Sequence, residues 1–143
     1  HAAGISATGD RELDARLPLP ERYEIPVDTA ASVRSARRVV AVGTSVVRAL
    51  EGSLAERGAV VPGRGQTELV IGDGFRPRVV TGLLSGVHEP QTSHHDVLAA
   101  FAPARALALA DAHAVANGYR IHEFGDSTLI LPGALGAVIA RSA

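Results

Sequence analysis

Arg38-Val39-Val40-Ala41-Val42-Gly43-Thr44-Ser45-Val46-Val47-Arg48-Ala49-Leu50-Glu51 decides how the rest of the chain is read. Val39 to Val42 are β-branched or small and apolar, the composition of a strand covered on both faces. Gly43 permits a sharp turn, and Thr44 or Ser45 offers an N-cap hydroxyl for a following helix. Val46, Val47, Leu50 and Leu54 then recur at helical spacing as a buried stripe, with a stop near Gly58. The stretch is strand, tight turn and helix, with two hydroxyls and unpaired backbone N–H groups where the helix begins. That end of a helix attracts anions and polar ligand groups. Arg48 is the misfit, because a cation in the first turn opposes the helix dipole by roughly a few tenths of a kcal/mol. It therefore answers to a group outside the helix, a carboxylate or a phosphate.

Working outward, Asp28 is the N-cap candidate for a helix reaching about Arg37. That helix buries Ala30 and Val33 and places Arg34, Arg37 and Arg38 towards its C-terminal end. Residues 1–26, punctuated by Gly4, Gly9, Pro18, Pro20 and Pro26, are a loop-rich lead-in with a short strand near Tyr23-Glu24-Ile25. Beyond the central helix, Val60-Val61-Pro62-Gly63-Arg64-Gly65 is a glycine-rich loop, without the Gly-Lys-Ser/Thr ending of a phosphate-binding loop. Glu68 to Ile71 and Arg78 to Thr81 are predicted as a hairpin turning at Gly72-Asp73-Gly74. Leu83 and Leu84 extend its second strand into the loop Ser85 to Pro90. Ser93 is the predicted cap of a helix to Phe101, and Pro103 opens another that stops at Asn117-Gly118. Tyr119 to Phe124 and Thr128 to Leu131 are strand candidates on either side of Gly125-Asp126-Ser127. Residues 27–133 make an α/β domain portion with helices layered on a mixed sheet, and 134–143 are a tail.

A chain of 143 residues suits one domain. With aromatic residues at 3% its core must be Val, Leu, Ile and Ala, and its net charge of −1 gives no global attraction to nucleic acid or anionic membrane. The absence of Cys excludes disulfides and thiolate metal sites. No apolar run approaches the ~20 residues of a membrane span. No signal-peptide pattern opens the sequence, so a cytoplasmic location is the expectation. The chain has no Met and begins at His1, as expected of a piece of something longer.

Three clusters carry candidate chemistry. His88-Glu89 and His94-His95-Asp96 bring ligand-type side chains together, but the spacing is wrong for a zinc helix. Thr92 stands where His-Glu-x-x-His needs its second His, and Pro90 breaks the helix. His94, His95 and Asp96 are expected as first-turn residues of a surface helix. His88 follows a buried strand in a Gly- and Pro-bounded loop, where an imidazole can serve as general base or acid; the plainer alternative is a loop His satisfied locally. Gly43-Thr44-Ser45 with Arg48 is either an anion subsite or a capped core helix with an exposed Arg. His122-Glu123-Phe124-Gly125-Asp126-Ser127 is either a ligand loop or an ordinary turn. Gly-x-Ser-x-Gly is absent, so no Ser-His-Asp triad is claimed.

In order, the chain carries Ala41-Val42-Gly43-Thr44-Ser45-Val46-Val47-Arg48-Ala49-Leu50-Glu51, Pro62-Gly63-Arg64-Gly65-Gln66-Thr67-Glu68-Leu69-Val70-Ile71, Leu84-Ser85-Gly86-Val87-His88-Glu89-Pro90-Gln91-Thr92-Ser93-His94, and Gly118-Tyr119-Arg120 through Phe124-Gly125-Asp126-Ser127-Thr128-Leu129-Ile130. This series resembles the C-terminal part of the S-adenosylmethionine:tRNA ribosyltransferase-isomerases of queuosine biosynthesis, over nearly all of residues 19–132. The resemblance implies a three-layer α/β/α domain with a mixed sheet, interrupted in the full protein by an inserted β-barrel, so that an N-terminal portion is missing here. It implies transfer and isomerisation of the ribosyl part of S-adenosylmethionine onto 7-aminomethyl-7-deazaguanine in tRNA, without a metal. On that resemblance His88 is the first candidate base and His1 the second. Gly43, Thr44, Ser45 and Arg48 hold a carboxylate or phosphate, and Gly125, Asp126 and Ser127 hold ribose hydroxyls or the methionine amine.

The chain also departs from the family pattern. Ser85-Gly86-Val87-His88-Glu89-Pro90 replaces Thr-Asn-Phe-His-Leu-Pro, Val46 replaces a Ser, and His94 and His95 replace apolar residues. Two alternatives follow: an S-adenosylmethionine-using enzyme with a non-tRNA acceptor, and a non-catalytic anion-binding domain of the same fold. A sheet lacking its other half leaves an apolar edge and face to be covered by the missing portion or by a second copy.

Overall fold

The computed structural model describes residues 8–121 and 125–131. In chain order they form α1 (Arg11–Asp14), β1 (Glu21–Ile25), α2 (Val27–Ser35), β2 (Val40–Val42), α3 (Thr44–Arg57), β3 (Gly63–Thr67), β4 (Gly82–Gly86), α4 (Ser93–Ala99), α5 (Ala104–Ala116) and β5 (Ser127–Ile130). Strands β1 and β3 make an antiparallel ribbon. Strands β2, β4 and β5 make a mixed sheet in that order, parallel between β2 and β4 and antiparallel between β4 and β5. The predicted mixed α/β architecture is therefore present.

Helix α3 joins the two sheets, touching strands of both. Its Val47 and Leu50 are buried, while Val46 and Leu54 are only half-buried. Gly52 faces the Thr67 side chain so closely that no Cβ would fit between them. The helix is bracketed by glycines, Gly43 at φ 95° as its N-cap and Gly58 at φ 74° as its C-cap. The predicted hydroxyl cap is thus corrected: Thr44 and Ser45 are the first helical residues, both buried, and no side chain caps the end. The same shift affects α2 and α4. Pro26 rather than Asp28 is the N-cap of α2, and Thr92 rather than Ser93 caps α4 by accepting from the His95 amide. α5 begins after Pro103 and ends before a left-handed Gly118, as its sequence indicates.

The faces of the mixed sheet differ. Ala41, Leu83 and Ile130 stand in register and are buried, Leu83 completely. Val42, Leu84 and Leu129 form the neighbouring row on the opposite face, where Val40, Val42 and Leu129 are exposed. The expectation that β2 is covered on both faces is therefore wrong for the described residues, which put no outer helix layer over this row.

Between α3 and β4 the expected hairpin is absent. Residues 63–67, read from sequence as a loop, form β3 by pairing with β1, and residues 68–81 contain no strand. Glu51 supplies the reason. Its buried carboxylate accepts the backbone N–H groups of Arg78, Val79 and Val80 at 2.9–3.1 Å, giving those amides the partner a strand would have provided. At the other end of the chain, Tyr119 to Ile121 are not a strand, and the rest of that candidate, like the tail, lies outside the described residues. The lead-in carries helix α1 as well as the strand near Tyr23.

Candidate active site at the carboxyl end of the parallel strands

Because β2 and β4 are parallel, their C-terminal ends share one edge of the sheet. The Gly43 amide donates to the Leu84 carbonyl across that edge at 2.8 Å, so the start of α3 lies beside Ser85. β5 runs the other way and begins at the same edge. Gly86 pairs with Ser127, and the Val87 amide donates to the Asp126 carbonyl at 3.0 Å. Topology thus gathers Gly43-Thr44-Ser45, the His88 loop and Gly125-Asp126-Ser127 at the place where open α/β sheets bind ligands.

His88 is half-buried, and its Nε2 lies 2.7 Å from the hydroxyl of buried Ser85. The pair fixes the imidazole orientation and couples its tautomer to the hydroxyl: if Nε2 carries the proton it donates to Ser85, and if not it accepts. The His94 ring meets the His88 ring edge-on at 5.2 Å. The two imidazoles divide two hollows. One, of about 70 Å³, is apolar and runs from His88, Val87 and Pro90 to Val115 and Tyr119. The other, of about 180 Å³, combines polar and apolar walls in similar measure; its polar side includes Asp14, Glu21, Arg48, Ser93, His94 and Asp96. In its wall, the Thr8 hydroxyl and then the Thr8 amide donate to Asp14 at 2.6 and 2.7 Å and hold its carboxyl below the usual aspartate range.

The helix start offers N–H groups rather than hydroxyls. With Gly43 as N-cap, the amides of Thr44, Ser45 and Val46 have no partner within the helix, while the side chains of Thr44 and Ser45 sit in buried positions. Asp126 shapes its loop. Its Oδ2 accepts the Arg120 amide at 2.7 Å, and its own amide donates to the Arg120 carbonyl at 2.9 Å. Gly125 lies so close to that carbonyl that a Cβ would collide with it. Asp126 and Ser127 are exposed.

Arg48 does answer to a carboxylate, and it is one of the protein's own. Its Nη1 lies 2.8 Å from Glu21 Oε1 as a close ion pair, Nε donates to the Leu69 carbonyl at 3.0 Å, and Nη2 donates to the Leu19 carbonyl at 3.1 Å. Both side chains are about 95% buried. The guanidinium therefore ties α3 to β1 and to the segment after β3, instead of projecting from the helix. His95, expected on a surface helix, is instead half-buried against Asp111 of α5, with Nε2 and Oδ2 3.2 Å apart. Among the described residues no three His, Asp or Glu side chains converge as a metal cluster. His1 lies outside the described residues.

Sequence reasoning singled out neither Ser85, Glu21 nor Glu51. A signal existed for Glu51: with Arg48 it sits three residues apart on the helix stripe that must be buried, and a charge there needs a partner in the fold.

The family model for the queuosine biosynthesis protein matches residues 6–130. The chain belongs to this family. It is 40% identical over 114 residues to the S-adenosylmethionine:tRNA ribosyltransferase-isomerase of Acidiphilium cryptum, covering 77% of this chain and 33% of that protein. It is 41% identical over 118 residues to the enzyme of the same name from Gloeobacter violaceus, covering 80% and 34%. The crystal structure of S-adenosylmethionine tRNA ribosyltransferase from Thermotoga maritima superposes with a TM-score of 0.71 at 35% identity, over 77% of this chain and 40% of that one. The chain thus spans about a third of the length of the curated queuosine biosynthesis relatives it matches.

Proposed function

We propose that this chain supplies the C-terminal portion of the α/β domain of an S-adenosylmethionine:tRNA ribosyltransferase-isomerase, acting in the cytoplasm, and that His88 is its general base. The observation that carries this reading is His88, held by Ser85 at the sheet edge where the start of α3 and the Asp126 loop also arrive. A sulfonium acidifies the neighbouring ribose carbon, and an imidazole beside that carbon can take its proton and start the rearrangement. The Ser85 hydroxyl orients the ring. The amides at the start of α3 suit the methionine carboxylate, and the exposed Asp126-Ser127 pair suits ribose hydroxyls or the methionine amine. In this reading Arg48 acts through the walls of the 180 Å³ hollow. The aminomethyl acceptor on tRNA then takes the sugar, with adenine and methionine as leaving groups. The exposed row Val40, Val42 and Leu129 is assigned to the rest of the domain or to a second copy.

Calorimetric titration of S-adenosylmethionine into a full-length enzyme carrying this chain tests the reading. Saturable heat is expected, and its absence leaves only a scaffold of the same fold. Ser85-Gly86 in place of Thr-Asn favours a second reading, a non-tRNA acceptor. Saturable heat without salt-sensitive tRNA binding would select it.

A further inference from the structure

At the opposite end of the parallel strands the charge distribution changes. Arg34 in the last turn of α2, Arg37 just after it and Arg78 ahead of β4 line one groove of about 260 Å³, whose apolar surface comes from Val33, Val60 and Val79. Val39 and Thr81 fix its position. The Val39 amide donates to the Thr81 hydroxyl at 2.9 Å, and the Thr81 amide donates back to the Val39 carbonyl at 2.8 Å. These residues immediately precede β2 and β4, so the groove lies about 13 Å from the Gly43 edge at ~3.3 Å per residue.

No acidic side chain lines the groove. Among the described residues the arginine ion pairs are Arg48 with Glu21 and Arg64 with Glu24, and none involves Arg34, Arg37 or Arg78. All three are exposed, and Arg38 beside them is exposed too. The nearby Glu51 carboxylate is buried and bound to the amides of Arg78, Val79 and Val80, so it fixes the backbone that carries Arg78. In a chain whose net charge is −1, this is a local concentration of unpaired cation. The chain has no Lys, so all 14 of its Lys and Arg positions are Arg, and the planar guanidinium fork matches phosphate oxygens. The groove is open and apolar between three separate guanidinium groups, which suits a chain of phosphates separated by sugars better than a single enclosed anion.

We propose that this groove is a second contact site, separate from the His88 edge, for the phosphodiester backbone of RNA. The choice of tRNA as the RNA rests on the ribosyltransferase reading, whereas the charge arrangement does not.

The test is fluorescence anisotropy of a labelled, unmodified tRNA transcript with a full-length enzyme carrying this chain, across a salt series. Arg34→Gln, Arg37→Gln and Arg78→Gln are each expected to make the slope of log Kobs against log salt shallower by about 0.7–0.9, and the triple variant by about 2–3. Arg105→Gln, an exposed position on α5, is the control and should leave the slope unchanged. The single variants keep the test informative if the triple variant folds poorly. A triple variant with the unaltered slope overturns the proposal, and so does a wild-type full-length enzyme that does not bind tRNA at low salt. Competition by inorganic phosphate without any change of RNA slope in the variants overturns it as well, in favour of a small-anion site. Failure of the ribosyltransferase reading looks different: no S-adenosylmethionine heat, while the RNA slope still responds to the arginines.

Discussion

Helix α3 divides two regions that treat polar side chains in opposite ways. At its first residues lies the His88 edge, where an imidazole is half-buried beside the Ser85 hydroxyl and Asp126-Ser127 face solvent. One and two turns further on, Arg48 and Glu51 are buried and committed to backbone carbonyls, to Glu21 and to three amides. One short motif therefore contains both a candidate site and a lock, and residue type alone does not separate them. Exposure separates them: the imidazole and the Asp126-Ser127 pair reach the surface, while Arg48 and Glu51 are almost fully buried and committed to partners within the chain.

Three substitutions sharpen the contrast. Arg48→Leu should have the largest effect, costing about 3–5 kcal/mol of stability because it leaves the Glu21 carboxylate buried without its cation. Urea denaturation measures this, and a loss under about 1 kcal/mol would mean that the pair is not the lock described. His88→Ala comes next and should act on the other side of the comparison. In a full-length enzyme, turnover should fall by roughly 10²-fold or more, while stability changes by less than about 1 kcal/mol. A variant that turns over normally removes His88 as the base, and one that unfolds moves it into the lock. The smallest effect is expected for Glu51→Gln, about 2 kcal/mol, since one carbonyl oxygen remains to accept from amides that previously shared two. Hydrogen exchange at Arg78, Val79 and Val80 locates the damage. If those amides stay as protected as before, another group holds the segment.

The same contrast marks what could be read from the chain directly. α3 was legible because glycines bracket an apolar helical period, and α5 because Pro103 and Gly118 do the same. The meeting of the His88 loop with the start of α3 required only that β2 and β4 be parallel and adjacent. β3 was not legible. Gly63-Arg64-Gly65-Gln66-Thr67 has little strand propensity of its own, and it is held by pairing with β1, where the Tyr23 ring occupies the space that a side chain on Gly65 would need. Leu69-Val70-Ile71 has the propensity but does not form a strand. Its Leu69 carbonyl goes to Arg48, and the Leu69 amide goes to the Thr67 hydroxyl. Long-range partners outweighed local preference in both directions. At the site, residue chemistry suggested His88, but Ser85 emerged only when the turn brought the two side chains together.

The grip of Glu51 on three successive amides also bears on which length changes this fold can accept. The connection from β3 to β4 is long, and its middle, around Asp73, Gly74 and Arg76, is exposed. Its last part is moored to a helix. Insertions should be absorbed upstream of the mooring, whereas a single residue added between Arg78 and Gly82 would push β4 out of step with β2 and carry His88 away from the start of α3.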